Sequence, residues 1–102
     1  MPAYIVYRAS IHDMDAYGEY MKRTPAAIAK YDGKFIARGG KVTVLEGEPE
    51  PRRVVLLEFP SREQAEQFYR STEYQEAKTY REGIAEAQML VVDDLPDSAV
   101  EG

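Results

Sequence analysis

The sequence predicts one α+β domain of β-α-β-β-α-β order, with two main helices on one face of an antiparallel sheet. Three observations carry that reading. Residues 3–9 (AYIVYRA), 53–59 (RVVLLEF) and 87–93 (AQMLVVD) are rich in β-branched and aromatic residues and read as strands. Two stretches with apolar residues at helical spacing fall between them. No repeat or linker divides the 102 residues, which suit a single domain.

After the first strand, Asp13 is placed to cap a helix. Met14, Tyr17, Met21, Ile28 and Tyr31 then form one apolar stripe. Pro25 interrupts it, and Thr24 could cap a restarted helix, so a kink or break is expected there. Gly33 stops the helix. Residues 34–38 (KFIAR) read as the second strand, Gly39-Gly40 as a bulge or bend within it, and residues 42–46 (VTVLE) as its extended continuation. Residues 47–51 (GEPEP) are a turn-rich loop before the third strand. Ser61 caps the second helix, with Gln64 at capping-box spacing and Ala65, Phe68 and Tyr69 on its apolar face. A shorter helical piece follows over residues 72–81, then the last strand. This order is ferredoxin-like, over residues 1–95. Residues 96–102 read as a loose polar tail.

The first, third and last strands contain continuous apolar runs: Tyr4-Ile5-Val6-Tyr7, Val54-Val55-Leu56-Leu57 and Met89-Leu90-Val91-Val92. A sheet wetted on one face alternates apolar and polar residues; continuous runs imply that both faces are covered. Two helices cover one face. The simplest cover for the other is the same face of a second copy, giving a homodimer; an apolar face tolerated by a monomer is the alternative.

Composition narrows the function. A net charge of -5 argues against nucleic acid and anionic membrane as partners. No bilayer-length apolar run and no leader segment is read, so a cytoplasmic home is expected. With no cysteine, disulfides, zinc-thiolate sites and cysteine nucleophiles are excluded. Carboxylate spacing gives no metal site and no glycine loop cradles a phosphate, so neither metal nor cofactor is expected.

Candidate site residues remain. His12, the single histidine, could act as a general base or ligate haem iron; a helix-capping loop histidine is the plain alternative. Arg38 could clamp a carboxylate, or simply pair with Glu46 or Glu58. Tyr74 and Arg81 are two helical turns apart and can point into one cleft, with Ser71 three residues before Tyr74. Tyr74 could polarise a carbonyl, whereas Ser71 could equally be a helix cap. Among eight tyrosines, Tyr20 stands out because it falls off the main stripe of the first helix.

The segments Tyr31-Asp32-Gly33-Lys34-Phe35, Arg38-Gly39-Gly40, Leu45-Glu46-Gly47, Leu57-Glu58-Phe59-Pro60-Ser61 and Tyr69-Arg70-Ser71-Thr72-Glu73-Tyr74-Gln75-Glu76-Ala77, then Arg81, resemble the proteins catalogued as domain of unknown function thirteen-thirty. Asp32 departs from them where many carry a second glycine. The resemblance implies the dimeric α/β-barrel superfamily, a homodimer, and a cleft between helices and sheet. Relatives in that superfamily include cofactor-free monooxygenases, isomerases and haem enzymes. The expected function is a cofactor-free, monooxygenase- or isomerase-like enzyme acting on a small organic acid or aromatic molecule. His12 and Tyr74 would be catalytic, and Arg38, Arg81, Tyr20 and Ser71 would bind substrate. A non-catalytic ligand-binding dimer is the alternative, and haem binding through His12 a third reading.

Overall fold

A computed structural model describes residues 1–95; the tail expected over 96–102 lies outside the described residues. Strand β1 (Ala3–Ile11) leads into helix α1 (Met14–Lys30). Strands β2 (Lys34–Arg38) and β3 (Arg53–Phe59) follow, then helices α2 (Arg62–Arg70) and α3 (Thr72–Thr79) and strand β4 (Ala85–Asp93). The sheet order is β2-β3-β1-β4 with every neighbouring pair antiparallel, which is the ferredoxin-like arrangement the sequence predicts. β1 runs two residues further than expected, and β4 starts two residues earlier, because Ser10 and Ile11 pair with Glu86 and Ala85.

The helix ends are made by the residues expected to make them. Asp13 Oδ1 accepts from the Ala16 amide at 3.0 Å, and Ser61 Oγ from the Gln64 amide at 3.1 Å. Helix α1 closes with the Asp32 amide on Ala29 O and the Gly33 amide on Ile28 O, Asp32 taking a left-handed φ of 64°. Gly33 is required for space, since a Cβ there would lie 2.4 Å from the Phe59 ring.

Three local expectations are corrected. Helix α1 runs unbroken through Pro25. Proline removes the amide that would bond the Met21 carbonyl. That oxygen is supplied instead by Arg38 Nη2 at 2.8 Å and Thr24 Oγ1 at 3.5 Å. The bulge in β2 lies between Phe35 and Ala37, not at Gly39-Gly40. Residues 42–46 form no strand. The Gly39 amide donates to Val54 O at 3.0 Å, and its φ of 70° then turns the chain away, so later residues find no ladder partner. Val42, Val44 and Leu45 are exposed on this loop. Its far end is pinned by Glu50, which accepts from Arg52 at 2.8 Å and lies 3.3 Å from Arg8.

The helices cover one sheet face. Ile5, Tyr7, Leu57 and Phe59 from the sheet pack there against Tyr17, Tyr20, Ile28, Phe68 and Tyr74. Each such fully buried apolar side chain contributes about 1.5–3 kcal/mol. The opposite face carries Tyr4, Val6, Val54 and Leu56, with Leu90 and Val92 still 42% and 49% exposed.

Candidate functional site

Tyrosine hydroxyls meet between the helices and the sheet. Alternation on β1 aims Tyr7 at the helices, and α1 presents Tyr17 and Tyr20 three residues apart. Tyr7 and Tyr17 share a hydrogen bond of 2.8 Å, as do Tyr20 and Tyr74. Burial pushes the Tyr17 and Tyr20 phenols well above their ordinary pKa, and their phenol partners push the same way. Burial also raises Tyr74, against hydrogen bonds from Tyr20 and Arg81 that lower it. All three are neutral phenols at physiological pH.

Arg81 closes this network. Its Nη2 donates to the Tyr74 hydroxyl at 3.4 Å, and its guanidinium lies 5.4 Å from the Tyr20 ring centre and 5.8 Å from that of Tyr7. Burial opposes its charge, but the Tyr74 hydrogen bond and the surrounding phenols more than offset it, so Arg81 remains a cation. The residue is only 9% exposed, and its buried Nε has no partner among the described residues. No carboxylate stands within the 4.0 Å ion-pair distance of Arg38, Arg53 or Arg81 among the described residues, whereas Arg8, Arg23, Arg52, Arg62 and Arg70 are all paired.

Two cavities adjoin these groups. An outer cleft of about 350 Å³ lies along β4, with Arg81 and apolar Ile5, Ala87, Met89 and Val91 lining it. Its rim carries Tyr69, Arg70, Lys78 and Glu66. Lys78 Nζ donates to the Tyr69 hydroxyl at 3.2 Å, and Arg70 lies 3.7 Å from Glu66. An inner cavity of about 30 Å³ is lined by Tyr7, Tyr17, Tyr20, Tyr74, Arg38 and Arg53 among others. Met89 lines both.

The six residues singled out from sequence fall into distinct places. Tyr20, Tyr74 and Arg81 are brought together. Ser71 stands behind them as a double cap: its Oγ donates to Phe68 O at 2.7 Å and accepts from the Tyr74 amide at 3.0 Å. Ser71 thereby fixes where α3 starts and where Tyr74 points. Arg38 sits at the far side of the inner cavity, bonded to Met21 O and 4.4 Å from the Phe35 ring centre. The β2 bulge puts it there, because Phe35 faces Leu57 but Arg38 faces Val55, both on the helix side. His12 lines neither cavity; it is exposed, with Nε2 3.2 Å from Glu86 Oε1.

Arg53, Arg70 and Lys78 went unrecognised in the sequence as cavity-lining cations. Arg53 did carry a signal: it is in phase with Val55, Leu57 and Phe59, a charge on the core side of a strand. Arg70 and Lys78 carried none, since exposed helical cations are common.

The family described as Domain of unknown function (DUF1330) matches residues 2–95. No curated protein matches the chain. Among solved structures, a protein of unknown function from Rhodopseudomonas palustris is similar with a TM-score of 0.74 and 18% identity, over 93% of this chain and 83% of that one. SnoaB, a cofactor-independent oxygenase from Streptomyces nogalater, is similar with a TM-score of 0.66 and 12% identity, over 95% of this chain and 96% of that one. A dimeric protein of unknown function and ferredoxin-like fold from Bacteroides fragilis gives 0.62 and 12%, over 91% and 96%. At these identities the likeness is one of fold.

Proposed function

The chain belongs to the DUF1330 family, and from that premise we propose that it forms a homodimer whose protomers each bind a small organic acid in the cleft along β4, as a cofactor-free enzyme of the oxygenase or isomerase type. One observation carries the reading: Arg81, a buried cation with no carboxylate beside it, lines a cleft of about 350 Å³, within the usual volume of a ligand site. A buried charge without a counter-ion is costly, and an anionic ligand removes that cost.

The ligand's acid group would lie against Arg81, and its apolar body against Ile5, Met89 and Val91. Lys78 and Arg70 at the rim favour a second electronegative group or steer the acid inward. A cation held by neutral phenols also stabilises negative charge as it develops on a carbonyl oxygen, which both enolisation and oxygenation of an acidic carbon require. SnoaB shares the fold and is a cofactor-independent oxygenase, which supports this class. The second copy would cover the face bearing Leu90 and Val92; the Bacteroides fragilis relative is dimeric.

One observation favours a non-catalytic binder instead. Glu66 is the carboxylate lining the cleft, and it is paired with Arg62 and Arg70, leaving no free base there among the described residues.

Calorimetric titration with a panel of aromatic and aliphatic acids tests the site. At least one acid should bind, and Arg81→Lys, which keeps the charge but loses the fork, should weaken it about tenfold or more. Binding that is equal in Arg81→Lys refutes the assignment. Recovery of a bound acid chemically unchanged after aerobic incubation decides for the binder. Sedimentation of the wild type and of Leu90→Glu tests the dimer, which the charge should dissociate.

A further inference from the structure

The inner cavity has a chemistry of its own. We propose that it is a binding site for a small planar oxyanion, of the size of formate, nitrate or bicarbonate, held by Arg53 and Arg38 and separate from the acid in the outer cleft.

Size sets the class of ligand. A buried water needs about 10–15 Å³. About 30 Å³ therefore admits roughly two waters or one anion of a few heavy atoms, and no larger organic molecule. Charge sets its sign. Arg38 and Arg53 both line the cavity, and no carboxylate stands within 4.0 Å of either among the described residues. The chain nevertheless has an excess of acidic residues, 18 against 13 basic, and its other arginines all find one or are buried against phenols. Two like charges beside one small cavity repel unless an anion lies between them. Shape sets the geometry. A guanidinium is a planar fork that matches a planar oxyanion through two parallel hydrogen bonds.

The backbone is built to hold Arg53 in place. Arg53 sits on the core side of β3, opposite Ala9. Its guanidinium lies over Gly39, where a Cβ would come within 2.2 Å of Nη1. Gly39 also has a φ of 70°, so glycine is favoured there on two independent grounds. The Tyr17 hydroxyl gives the cavity a further polar group. Burial raises its pKa, but Arg53 and Arg81 both pull it down, which places the phenol within electrostatic reach of both cations. Met89 lines both this cavity and the outer cleft, so the two adjoin, but Arg38 and Arg53 line only the first and Arg81 only the second.

The test is titration of the wild-type protein with sodium nitrate and sodium formate at constant ionic strength, made up with chloride or sulfate, and read by calorimetry and by tyrosine difference absorbance. The expected result is a saturable isotherm of one anion per chain for nitrate or formate, with no matching isotherm for sulfate. Arg53→Gln should raise the Kd at least about tenfold. Arg53→Lys, which retains charge without the fork, should raise it by a smaller factor and serves as the deciding variant if the glutamine form is poorly folded. Nitrate and formate behaving as sulfate does would overturn the proposal. So would a saturable site whose Kd in both Arg53→Gln and Arg53→Lys equals that of the wild type, which would mark an adventitious ion elsewhere. Neither result touches the Arg81 cleft, which is read by the larger aromatic and aliphatic acids and by Arg81→Lys, a variant that should leave the nitrate isotherm in place.

Discussion

Replacing Pro25 by alanine should stabilise the protein and, at the same time, remove one of the tasks of Arg38. Proline in a helix interior costs about 3 kcal/mol relative to alanine. Part of that cost is already met here, because Arg38 Nη2 at 2.8 Å and Thr24 Oγ1 at 3.5 Å take the place of the missing amide on Met21 O. That substitution is worth about 1 kcal/mol, since Arg38 is exposed and its hydrogen bond competes with water. Alanine also loosens the unfolded chain, which gives back up to about 1 kcal/mol. The net gain for Pro25→Ala is therefore about 1 kcal/mol, or some 4–8 °C in Tm for a domain of this size. Coupling is the sharper quantity. Arg38→Ala alone should cost about 1–2 kcal/mol, from the lost carbonyl bond and the lost contact with Phe35. In the Pro25→Ala background the alanine amide serves Met21 O, so Arg38→Ala should cost only the Phe35 part, about 0.5 kcal/mol. Urea unfolding of the four proteins, followed by far-UV circular dichroism because the chain has no tryptophan, gives the cycle directly. An equal cost of Arg38→Ala in both backgrounds would refute the account of how α1 passes through Pro25.

Gly33→Ala should destabilise by about 2–3 kcal/mol, measured by thermal unfolding, because the new methyl meets the Phe59 ring at 2.4 Å and Ile28 at 2.9 Å. Tyr20→Phe or Tyr74→Phe should each cost about 1–2 kcal/mol by orphaning a buried hydroxyl, while the double variant costs less than their sum; strict additivity in denaturant titrations would deny the 2.8 Å bond. Glu50 makes the acid limb of stability pH-dependent. The Arg52 hydrogen bond pulls its carboxyl down to about 2 from 4.5, so its stabilisation is complete above about 4.5 and is lost as pH falls through about 2. Glu50→Gln should therefore flatten the fall in Tm across that window, and an unchanged slope would argue against the Arg52 and Arg8 contacts.

Much of the architecture was legible because local chemistry and global fold agree. Asp13, Ser61 and Ser71 cap the helices that their spacing announced, and the greasy strands pair in ferredoxin-like order. The failures share a cause: each turns on a contact from far along the chain. Helix α1 survives Pro25 through an arginine 17 positions beyond the Met21 carbonyl that it serves. Residues 42–46 have good strand composition but no neighbour to pair with, and a strand is defined by its neighbour. For the site, Tyr20 and Tyr74 were each singled out, but their direct bond spans 54 residues and no spacing rule reports it. His12 attracted attention through its chemistry alone, whereas its position beyond the end of the sheet pairs it with Glu86. Arg53 could have been found by asking which charge sits in phase with the core.

The extra residue in β2 makes the placement of one cation a matter of counting. Between Phe35 and Ala37 the strand gains a residue, and every position after it exchanges sides relative to a plain alternation. Side-chain replacement at Ile36 leaves that parity intact. Removal of Ile36 leaves a plain ladder in which Ala37 still meets Leu56 and Arg38 still meets Val55, so the guanidinium keeps its side; a strand that retained Ile36 without the bulge would instead turn Arg38 to the face that carries Leu90 and Val92. Among related chains, then, how this strand pairs would signify more than its length or many differences in letter, because the bulge decides whether the guanidinium stands on the helix side of the sheet or on the opposite face.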